Sequence, residues 1–519
     1  MIKQNETNAS VRTISRSMLI VMVFTMGAKV TGFLRETVMA SRFGVSYITD
    51  AYKSAFDIPC IFLSVIVTAL SATLIPAYSS QMRQGKEQAN RFARNLFTLG
   101  LVLSAVVLCL TLLMLDTLVQ RFFLPGASAE VQQLTIRLAR IMMPMGFFTF
   151  LARMSTAYLQ ANFDFTVPAI SQVVLNVFII ISILISRGES VELVALGTLL
   201  GWVMQFAVQV PSLYRAGLRP KPVFDLKDPC IREVALLMLP VLISSAFDQV
   251  YMIVGKAVAS SGIGDITILD YGNRVSTMVS AVLLTSIATV LYPTLVKNVD
   301  SSEDFRRTLS LGVNLNLLIA IPAMAALTLL RLPVTRLVFE RGAFTAKDSL
   351  LTCGTLACYS CGILGVGLRE IGNRSFYAFK QTRVPTIIGI GAVVLNIVLA
   401  IAFYPIWGAA GIAAATAFSS MTSGLLLIFM LHRRHKALYV AGFLTCLWKV
   451  VVATGCMCAV LFALSAAFQL SVATGKTLLL GMGVCVVGGM AVYALVLLAL
   501  RTQELTAGLS LIFGKFRKK

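Results

Sequence analysis

Long apolar stretches separated by short polar segments follow one another along the whole chain of 519 residues. A helix needs about 20 apolar residues to cross a hydrocarbon layer of roughly 30 Å. The pattern predicts an all-α polytopic membrane protein with about 14 transmembrane helices. The predicted spans are residues 16–43, 47–82, 95–120, 131–162, 166–186, 190–214, 231–260, 265–296, 308–331, 347–379, 384–404, 408–431, 441–469 and 477–500.

The composition supports this prediction and excludes an ordinary soluble protein. Hydrophobic residues make up 57% of the chain, charged residues only 13%, and the mean hydropathy is +0.85. The net charge of +21 does not indicate a nucleic-acid partner, because the basic residues are grouped in segments between apolar stretches. That distribution follows the positive-inside rule of membrane proteins. An even number of spans then places both termini in the cytoplasm.

The sequence also repeats itself at an offset of about 217 residues. Pro76 and Pro168 are followed at that distance by Pro293 and Pro385, in similar local sequences. Such parallel repeats are typical of transporters that bind their substrate between the two halves. We therefore predict two six-helix lobes in tandem, followed by two further helices. The predicted segments are a cytoplasmic tail (1–15), an N-lobe (16–216), a cytoplasmic linker (217–230), a C-lobe (231–432), a cytoplasmic loop (433–440), helices 13 and 14 (441–500) and a basic cytoplasmic tail (501–519).

Charged residues inside the predicted spans are the main candidates for function. The first span contains Lys29, Arg35, Glu36 and Arg42, and the eighth contains Arg274. One basic residue at the centre of a spanning helix costs about 2.5–3.5 kcal/mol on insertion scales, so several must face water or protein. Residues seven positions apart return to nearly the same helix face, and we predict that these charges line a hydrated cavity.

A cavity lined by Lys29, Arg35 and Arg274 predicts an anionic substrate. Arginine can hold phosphate oxygens bidentately and lysine supplies a compact charge, so the set suits a pyrophosphate. Further polar residues are predicted to support the cavity, namely Glu36, Asp50, Lys53, Asp57, Asp270 and Asn273. The alternative is that such charges pair and hold helices together, which we expect for Glu370 and Arg374, four residues apart near a cytoplasmic helix end.

The sequence contains no recognisable catalytic motif, so we predict a protein that is not an enzyme. It has no Walker P-loop, no H-E-x-x-H and no nucleophile elbow. Cys358 and Cys361 form a C-x-x-C without a second pair, so we expect neither a metal site nor a cofactor. The energy for transport must then come from an ion gradient, the membrane potential or the substrate gradient.

Residues 29–59 (KVTGFLRETVMASRFGVSYITDAYKSAFDIP) resemble the first two helices of the MurJ (MviN) family. The resemblance continues in residues 270–297 (DYGNRVSTMVSAVLLTSIATVLYPTLVK) and in the segment ERGAFTAKDSL. This family flips lipid II, the undecaprenyl-pyrophosphate-linked peptidoglycan precursor, and is part of the multidrug/oligosaccharidyl-lipid/polysaccharide exporter superfamily. The resemblance implies alternating access in the bacterial cytoplasmic membrane, a lipid-tail groove at helices 13 and 14, and lipid II, membrane lipids and cell-wall synthesis and division proteins as partners.

Carried over by position, the family's cationic cavity residues are Lys29, Arg35 and Arg274, and its acid at the start of helix two is Asp50. Two positions depart from the family pattern. Lys29 stands where many relatives have arginine, which keeps the charge but loses the bidentate geometry. Leu63 stands where some relatives carry a further arginine, so one phosphate contact is missing or is supplied by another residue.

The coupling ion and the cargo remain open at the level of sequence. Some relatives bind sodium between helices 7, 11 and 12, where Asp248 and Asn396 are the candidates here, and Na+, H+ or the membrane potential are alternatives for coupling. The alternative functions are a flippase for another lipid-linked glycan, a cation-coupled drug antiporter and a non-transporting membrane scaffold. An antiporter predicts an acidic cavity, and a scaffold predicts that the cavity charges are dispensable.

Overall fold

The computed structural model describes residues 2–186, 190–219, 221–435 and 439–502, and every regular element in these ranges is helical. The helices up to residue 264 are α1 (Ile2–Phe43), α2 (Tyr47–Met82), α3 (Lys86–Leu113), α4 (Leu115–Leu118), α5 (Ala129–Ala161), α6 (Thr166–Ile185), α7 (Val191–Ala216) and α8 (Pro229–Ala259), with a π-helical turn at Val119–Phe123. The later helices are α9 (Asp265–Lys297), α10 (Ser302–Leu329), α11 (Arg331–Phe339), α12 (Ala346–Cys361), α13 (Ile363–Ala378), α14 (Arg383–Trp407), α15 (Ala409–His435), α16 (Val440–Ala467) and α17 (Gly475–Ala499).

Eleven helical segments within the described residues are long and apolar enough to cross a membrane. One of them, Ala346–Ala378, joins α12 and α13 across Gly362. The other three predicted spans coincide with α1, α8 and α9, which at 42, 31 and 33 residues are also long enough to cross. The chain is therefore an all-α polytopic membrane protein with about fourteen transmembrane helices.

The helix boundaries reproduce the repeat that the sequence shows. Helices α3 (Lys86–Leu113) and α10 (Ser302–Leu329) each contain 28 residues. Helix α5 (Ala129–Ala161) and the segment Ala346–Ala378 each contain 33 residues. Pro168 and Pro385 are each the third residue of their helix, α6 and α14, where a proline has no intrahelical hydrogen bond to lose.

Internal packing divides the chain into two compact units, Met1–Gly264 and Asp265–Lys519. Helix α8, the first helix of the second repeat, packs against α2 and so lies within the first unit. The sequence repeat instead predicts a division into two lobes at the linker 217–230. That division stays a prediction. The position of α8 matters because it brings a charged residue to α2.

In the second unit, the core lies between α9, α10, α13, α14 and α15. Helices α13 and α15 come into close contact through glycines: a Cβ on Gly424 would lie 2.6 Å from the carbonyl oxygen of Gly365. Helices α16 and α17 pack against each other and against α10. Tyr493 of α17 donates a hydrogen bond of 2.7 Å to the carbonyl oxygen of Leu318 in α10. The two C-terminal helices are thus fixed to the second unit through α10.

A charged cluster and the candidate substrate site

Helix α1 is held against α6 by the buried side chain of Asn176. Its Nδ2 donates to the carbonyl oxygen of Ala28 (3.2 Å) and to Oγ1 of Thr31 (3.3 Å). Its Oδ1 accepts a long hydrogen bond from Nη1 of Arg35 (3.4 Å). Asn176 is 3% exposed, so these bonds lie inside the protein. The contact fixes the part of α1 that carries Lys29 and Arg35.

Arg35 is the first member of an ionic network that joins α1 to α2. Its Nη2 donates to Oε1 of Glu36 (2.7 Å), and Oε2 of Glu36 lies 3.7 Å from Nζ of Lys53. The three side chains are 17%, 10% and 7% exposed. Glu36 therefore lies between two basic groups and compensates part of their charge. Arg35 and Lys53 are not bare cations, as a purely cationic cavity would require.

The acidic residues of α2 connect it to α8 and to the turn that follows α8. Asp50 accepts a hydrogen bond of 2.5 Å from the backbone N–H of Gly264. Asp57 forms an ion pair with Lys256 of α8, whose Nζ also donates to the carbonyl oxygen of Lys53 (3.4 Å). The first unit thus buries three basic and three acidic side chains together, namely Arg35, Lys53, Lys256, Glu36, Asp50 and Asp57.

Lys29 differs from the other basic residues of α1. Its side chain is exposed, and it has no hydrogen-bond or ion-pair partner in the part of the chain that the structure describes. Arg42, predicted to share a cavity-lining face with Arg35, has a structural role instead. Its Nε and Nη2 donate to the carbonyl oxygen of Ser186 (3.0 and 2.6 Å), at the C-terminus of α6. A guanidinium at that position hydrogen-bonds a terminal carbonyl group and interacts favourably with the negative end of the helix dipole.

The predicted site residues of the second unit lie along one side of α9. Arg274 and Asn273 are exposed, and Asp270 is partly buried one turn before Arg274. Asn273 accepts a hydrogen bond of 3.0 Å from Oγ1 of Thr277. Arg274 is in a different compact unit from Lys29 and Arg35, so their common participation in one site stays a prediction. The expected ion pair of Glu370 and Arg374 is confirmed, with 2.7 Å between Oε1 and Nε.

The second unit also holds a well-formed ion pair at the C-terminus of α11. Nε and Nη2 of Arg336 donate to the two carboxylate oxygens of Glu340 (2.9 and 3.0 Å), and Ser349 donates to Oε2 of Glu340 (2.7 Å). Burial alone would raise the pKa of Glu340, but these hydrogen bonds outweigh it and hold the pKa below its ordinary value. Arg336 also donates to the carbonyl oxygen of Ser471, between α16 and α17. The pair therefore fixes three segments of the second unit.

Asn396 and Leu63 are both buried in contacts between helices. Asn396 is 4% exposed, and its Nδ2 donates to Thr416 (3.3 Å) and Ser419 (3.2 Å), which joins α14 to α15. The side chain of Asp248 lies outside the described residues, so the predicted ion site is not tested. Leu63, at the position where some relatives are expected to carry a further arginine, is fully buried. It lies against Gly146 of α5, in an apolar contact that offers no place for a phosphate.

Two residues of this cluster, Lys256 and Asn176, are not among the residues predicted from the sequence. Lys256 is a basic residue within the apolar part of α8, the same signal that marks Lys29, and could have been selected on that ground. Asn176 ends the VVLN segment that recurs at 393–396. The repeat marks it, but its contact with α1 depends on tertiary packing. Among the described residues, no group of three or more His, Cys, Asp or Glu is arranged to hold a metal ion.

Lys29 can bind an anion without first breaking an ion pair with any of the described residues. Ion pairs join α1 to α2 and α2 to α8, and buried charges of this kind are costly to leave unpaired. The charged groups of this cluster can recognise an anion electrostatically.

Comparisons with known proteins identify the family. The family model described as lipid II flippase MurJ matches residues 39–483. The probable lipid II flippase MurJ of Vibrio cholerae serotype O1 is 31% identical over 434 residues, covering 80% of this chain and 82% of that protein. A solved structure of lipid II flippase MurJ in an inward closed conformation matches with a TM-score of 0.78 at 24% identity, over 96% of this chain and 100% of that one.

A more distant structure has the same fold. An inward-facing multidrug resistance MATE family transporter of the MOP superfamily matches with a TM-score of 0.61 at 16% identity, over 81% of this chain and 98% of that one. At this identity the likeness concerns the fold alone. The family model and the relative from Vibrio cholerae cover most of the sequence. The chain belongs to the lipid II flippase MurJ family.

Proposed function

We propose that this protein moves lipid II from the inner to the outer leaflet of the bacterial cytoplasmic membrane by alternating access, as a transporter without catalytic chemistry. Membership of the lipid II flippase MurJ family supports lipid II as the cargo. Both termini lie on the cytoplasmic side in this proposal, because the basic residues between apolar helices favour that orientation.

The observation that carries the proposal is the exposed Lys29, which has no partner among the described residues and lies on the same helix as the paired Arg35. The pyrophosphate of lipid II docks on Lys29, with Arg35 released in part from Glu36, and Arg274 completes the cationic set. The polyprenyl tail stays in the lipid and follows a groove at α16 and α17. A ligand shifts a conformational equilibrium only through different affinities for the two states, and the anion supplies this difference by neutralising the cavity.

Resetting of the protein after release requires an energy source. We propose the membrane potential or an Na+ or H+ gradient, since the membrane potential provides about 2.3 kcal/mol per charge per 100 mV. Asp248 and Asn396 remain the candidates for an ion site. Cell-wall synthesis and division proteins are the proposed functional partners, and no cofactor is required.

The test is rescue of a bacterium depleted of its own lipid II flippase, with lipid II accessibility at the outer leaflet as the readout. The wild type is compared with Arg35→Lys, Arg274→Ala and the control Arg137→Ala, whose side chain is 69% exposed in a surface ion pair. We expect rescue by the wild type and the control, reduced rescue by Arg35→Lys and none by Arg274→Ala, at equal amounts of membrane protein.

Other outcomes assign the function differently. Absence of outward lipid II with the wild type would contradict the cargo and favour another lipid-linked glycan. Equal rescue by all variants would keep the cargo and reject the cationic site. A protein that restores growth without moving lipid II would be a scaffold.

A further inference from the structure

A cavity of about 410 Å³ opens within the first unit between α3 and α7, both of which pack against α5. Its interior is apolar, with Phe97 and Leu101 from α3 and Phe206 and Leu213 from α7. We call it the basic-mouthed cavity, because its polar part consists mainly of cations. None of the described residues that line it belongs to α1, α2 or α8, and the proposed transport mechanism does not use it.

Three basic side chains line the mouth of this cavity, namely Arg94, Arg219 and Lys221. None of the described residues that line it is acidic. Nε of Arg94 is buried and has no hydrogen-bond partner within the described chain. An anionic group at the mouth would form charge-assisted hydrogen bonds with the guanidinium of Arg94.

The segment that carries Arg219 and Lys221 is fastened to α3. Asn95, which is 1% exposed, donates to the carbonyl oxygen of Asp225 (2.7 Å) and accepts from its backbone N–H (3.0 Å). The backbone N–H of Val223 donates to Oγ1 of Thr98 (3.3 Å). These bonds hold the connection between α7 and α8 against α3, so the cations form part of a built site.

The cavity lies at the level where the charged ends of α3 and α7 meet their apolar parts. Arg94 is the last charged residue before an uncharged stretch at 95–113, and Arg215 follows an uncharged stretch at 193–214. The charged ends of both helices therefore mark the boundary of the hydrocarbon. Leu101 lies seven residues beyond Arg94, or about 10 Å deeper at 1.5 Å per residue. Basic pockets of this kind, on the cytoplasmic side between helices, recognise anionic lipid headgroups.

We propose that the basic-mouthed cavity binds an anionic glycerophospholipid, with its phosphate at Arg94, Arg219 and Lys221 and the upper part of its acyl chains between α3 and α7. A soluble anion would leave the apolar interior unused, and a zwitterionic lipid would leave the cations uncompensated. The proposal concerns a lipid of the surrounding membrane and holds for any cargo of the transporter.

The test is native mass spectrometry of the full-length protein in detergent, titrated with phosphatidylglycerol or with phosphatidylcholine of the same acyl chains. The variant Arg219→Ala/Lys221→Ala removes two exposed cations of the mouth. The control Arg215→Ala/Lys227→Ala removes two cations from the same region that do not line the cavity. Each cation near a membrane surface contributes about 1 kcal/mol, so the first variant is expected to bind phosphatidylglycerol about thirtyfold more weakly.

A second variant, Val210→Trp, fills the apolar interior without changing charge and is expected to weaken phosphatidylglycerol binding while the protein stays folded by its melting temperature. Preference for phosphatidylglycerol in the wild type, lost in Arg219→Ala/Lys221→Ala and kept in the control, supports the site. Equal binding of both lipids by the wild type would overturn it, as would an equal loss in the control. Displacement of phosphatidylglycerol by inorganic phosphate at a similar concentration would contradict a lipid site and indicate a site for soluble anions. Preferential displacement by a polyprenyl pyrophosphate would assign the cavity to the cargo instead.

Discussion

Replacing Lys256 with methionine removes the basic partner of Asp57 and keeps a side chain of similar length. The side chains of Lys256 and Asp57 are 10% and 18% exposed, so the carboxylate would remain buried without compensation. Removing one partner of a buried ion pair costs about 3–5 kcal/mol. The lost hydrogen bond to the carbonyl oxygen of Lys53 adds about 1 kcal/mol. We therefore expect Lys256→Met to lower the free energy of unfolding by about 4–6 kcal/mol.

The double variant Asp57→Leu/Lys256→Met leaves no unpaired charge and is expected to lie near the wild type or above it. Unfolding in mixed micelles with increasing sodium dodecyl sulfate gives the free energies of the four proteins of the cycle. The coupling energy between the two sites is expected to be at least about 2 kcal/mol. The control is Arg140→Met, which breaks an exposed pair with Asp116 and should cost no more than about 1 kcal/mol. A Lys256→Met protein as stable as the wild type, or a double variant no better than the single one, would refute the assigned pair.

Three further predictions address other parts of the structure. Asn176→Ala is expected to lower the free energy of unfolding by about 1–3 kcal/mol and to slow the flipping of lipid II, because Arg35 and α1 lose a buried partner. Unfolding in mixed micelles measures the first effect, and a lipid II transport assay measures the second. Leu63→Arg, which introduces the cation that some relatives carry, is expected to reduce the amount of folded protein because that position is buried and apolar, whereas Leu63→Met should fold normally in size-exclusion chromatography. The folded-state pKa of Glu340 is depressed, so its ion pair with Arg336 stabilises the protein above the ordinary glutamate pKa of about 4.3. The difference in melting temperature between the wild type and Glu340→Gln should thus be largest at neutral pH and shrink as the pH falls through the lower folded-state pKa; a difference that does not change with pH would contradict this.

The sequence predicts the membrane-spanning helices well because each of them is long, largely apolar and bounded by charged or turn-forming residues. The span predicted at 166–186 is α6 (Thr166–Ile185), and the span at 265–296 is α9 (Asp265–Lys297). Helix α11 was not predicted, because Arg331, Pro333 and Arg336 interrupt its apolar pattern within nine residues. Boundaries thus follow from local composition, while short helices that depend on packing do not.

The partners of the charged residues could not be read from spacing. Arg35 and Arg42 are seven residues apart on one helix, yet Arg35 contacts Asn176 and Glu36 while Arg42 binds the C-terminus of α6. Asp57 and Lys256 are distant in sequence and meet only because α8 packs against α2. A periodic pattern places a residue on a face, but tertiary packing decides whether that face meets water or another charge.

The measurement that tests the central claim most directly is outward movement of lipid II in vesicles that contain the purified protein with Lys29, Lys29→Arg or Lys29→Gln. The exposed Lys29 has no partner among the described residues, so its replacement by glutamine removes a charge without breaking an ion pair. A hydrogen bond to a charged group is worth about 1.5–3 kcal/mol, so Lys29→Gln should flip lipid II about ten- to a hundredfold more slowly. Lys29→Arg should keep most of the rate. Flipping by Lys29→Gln at the wild-type rate would contradict the account.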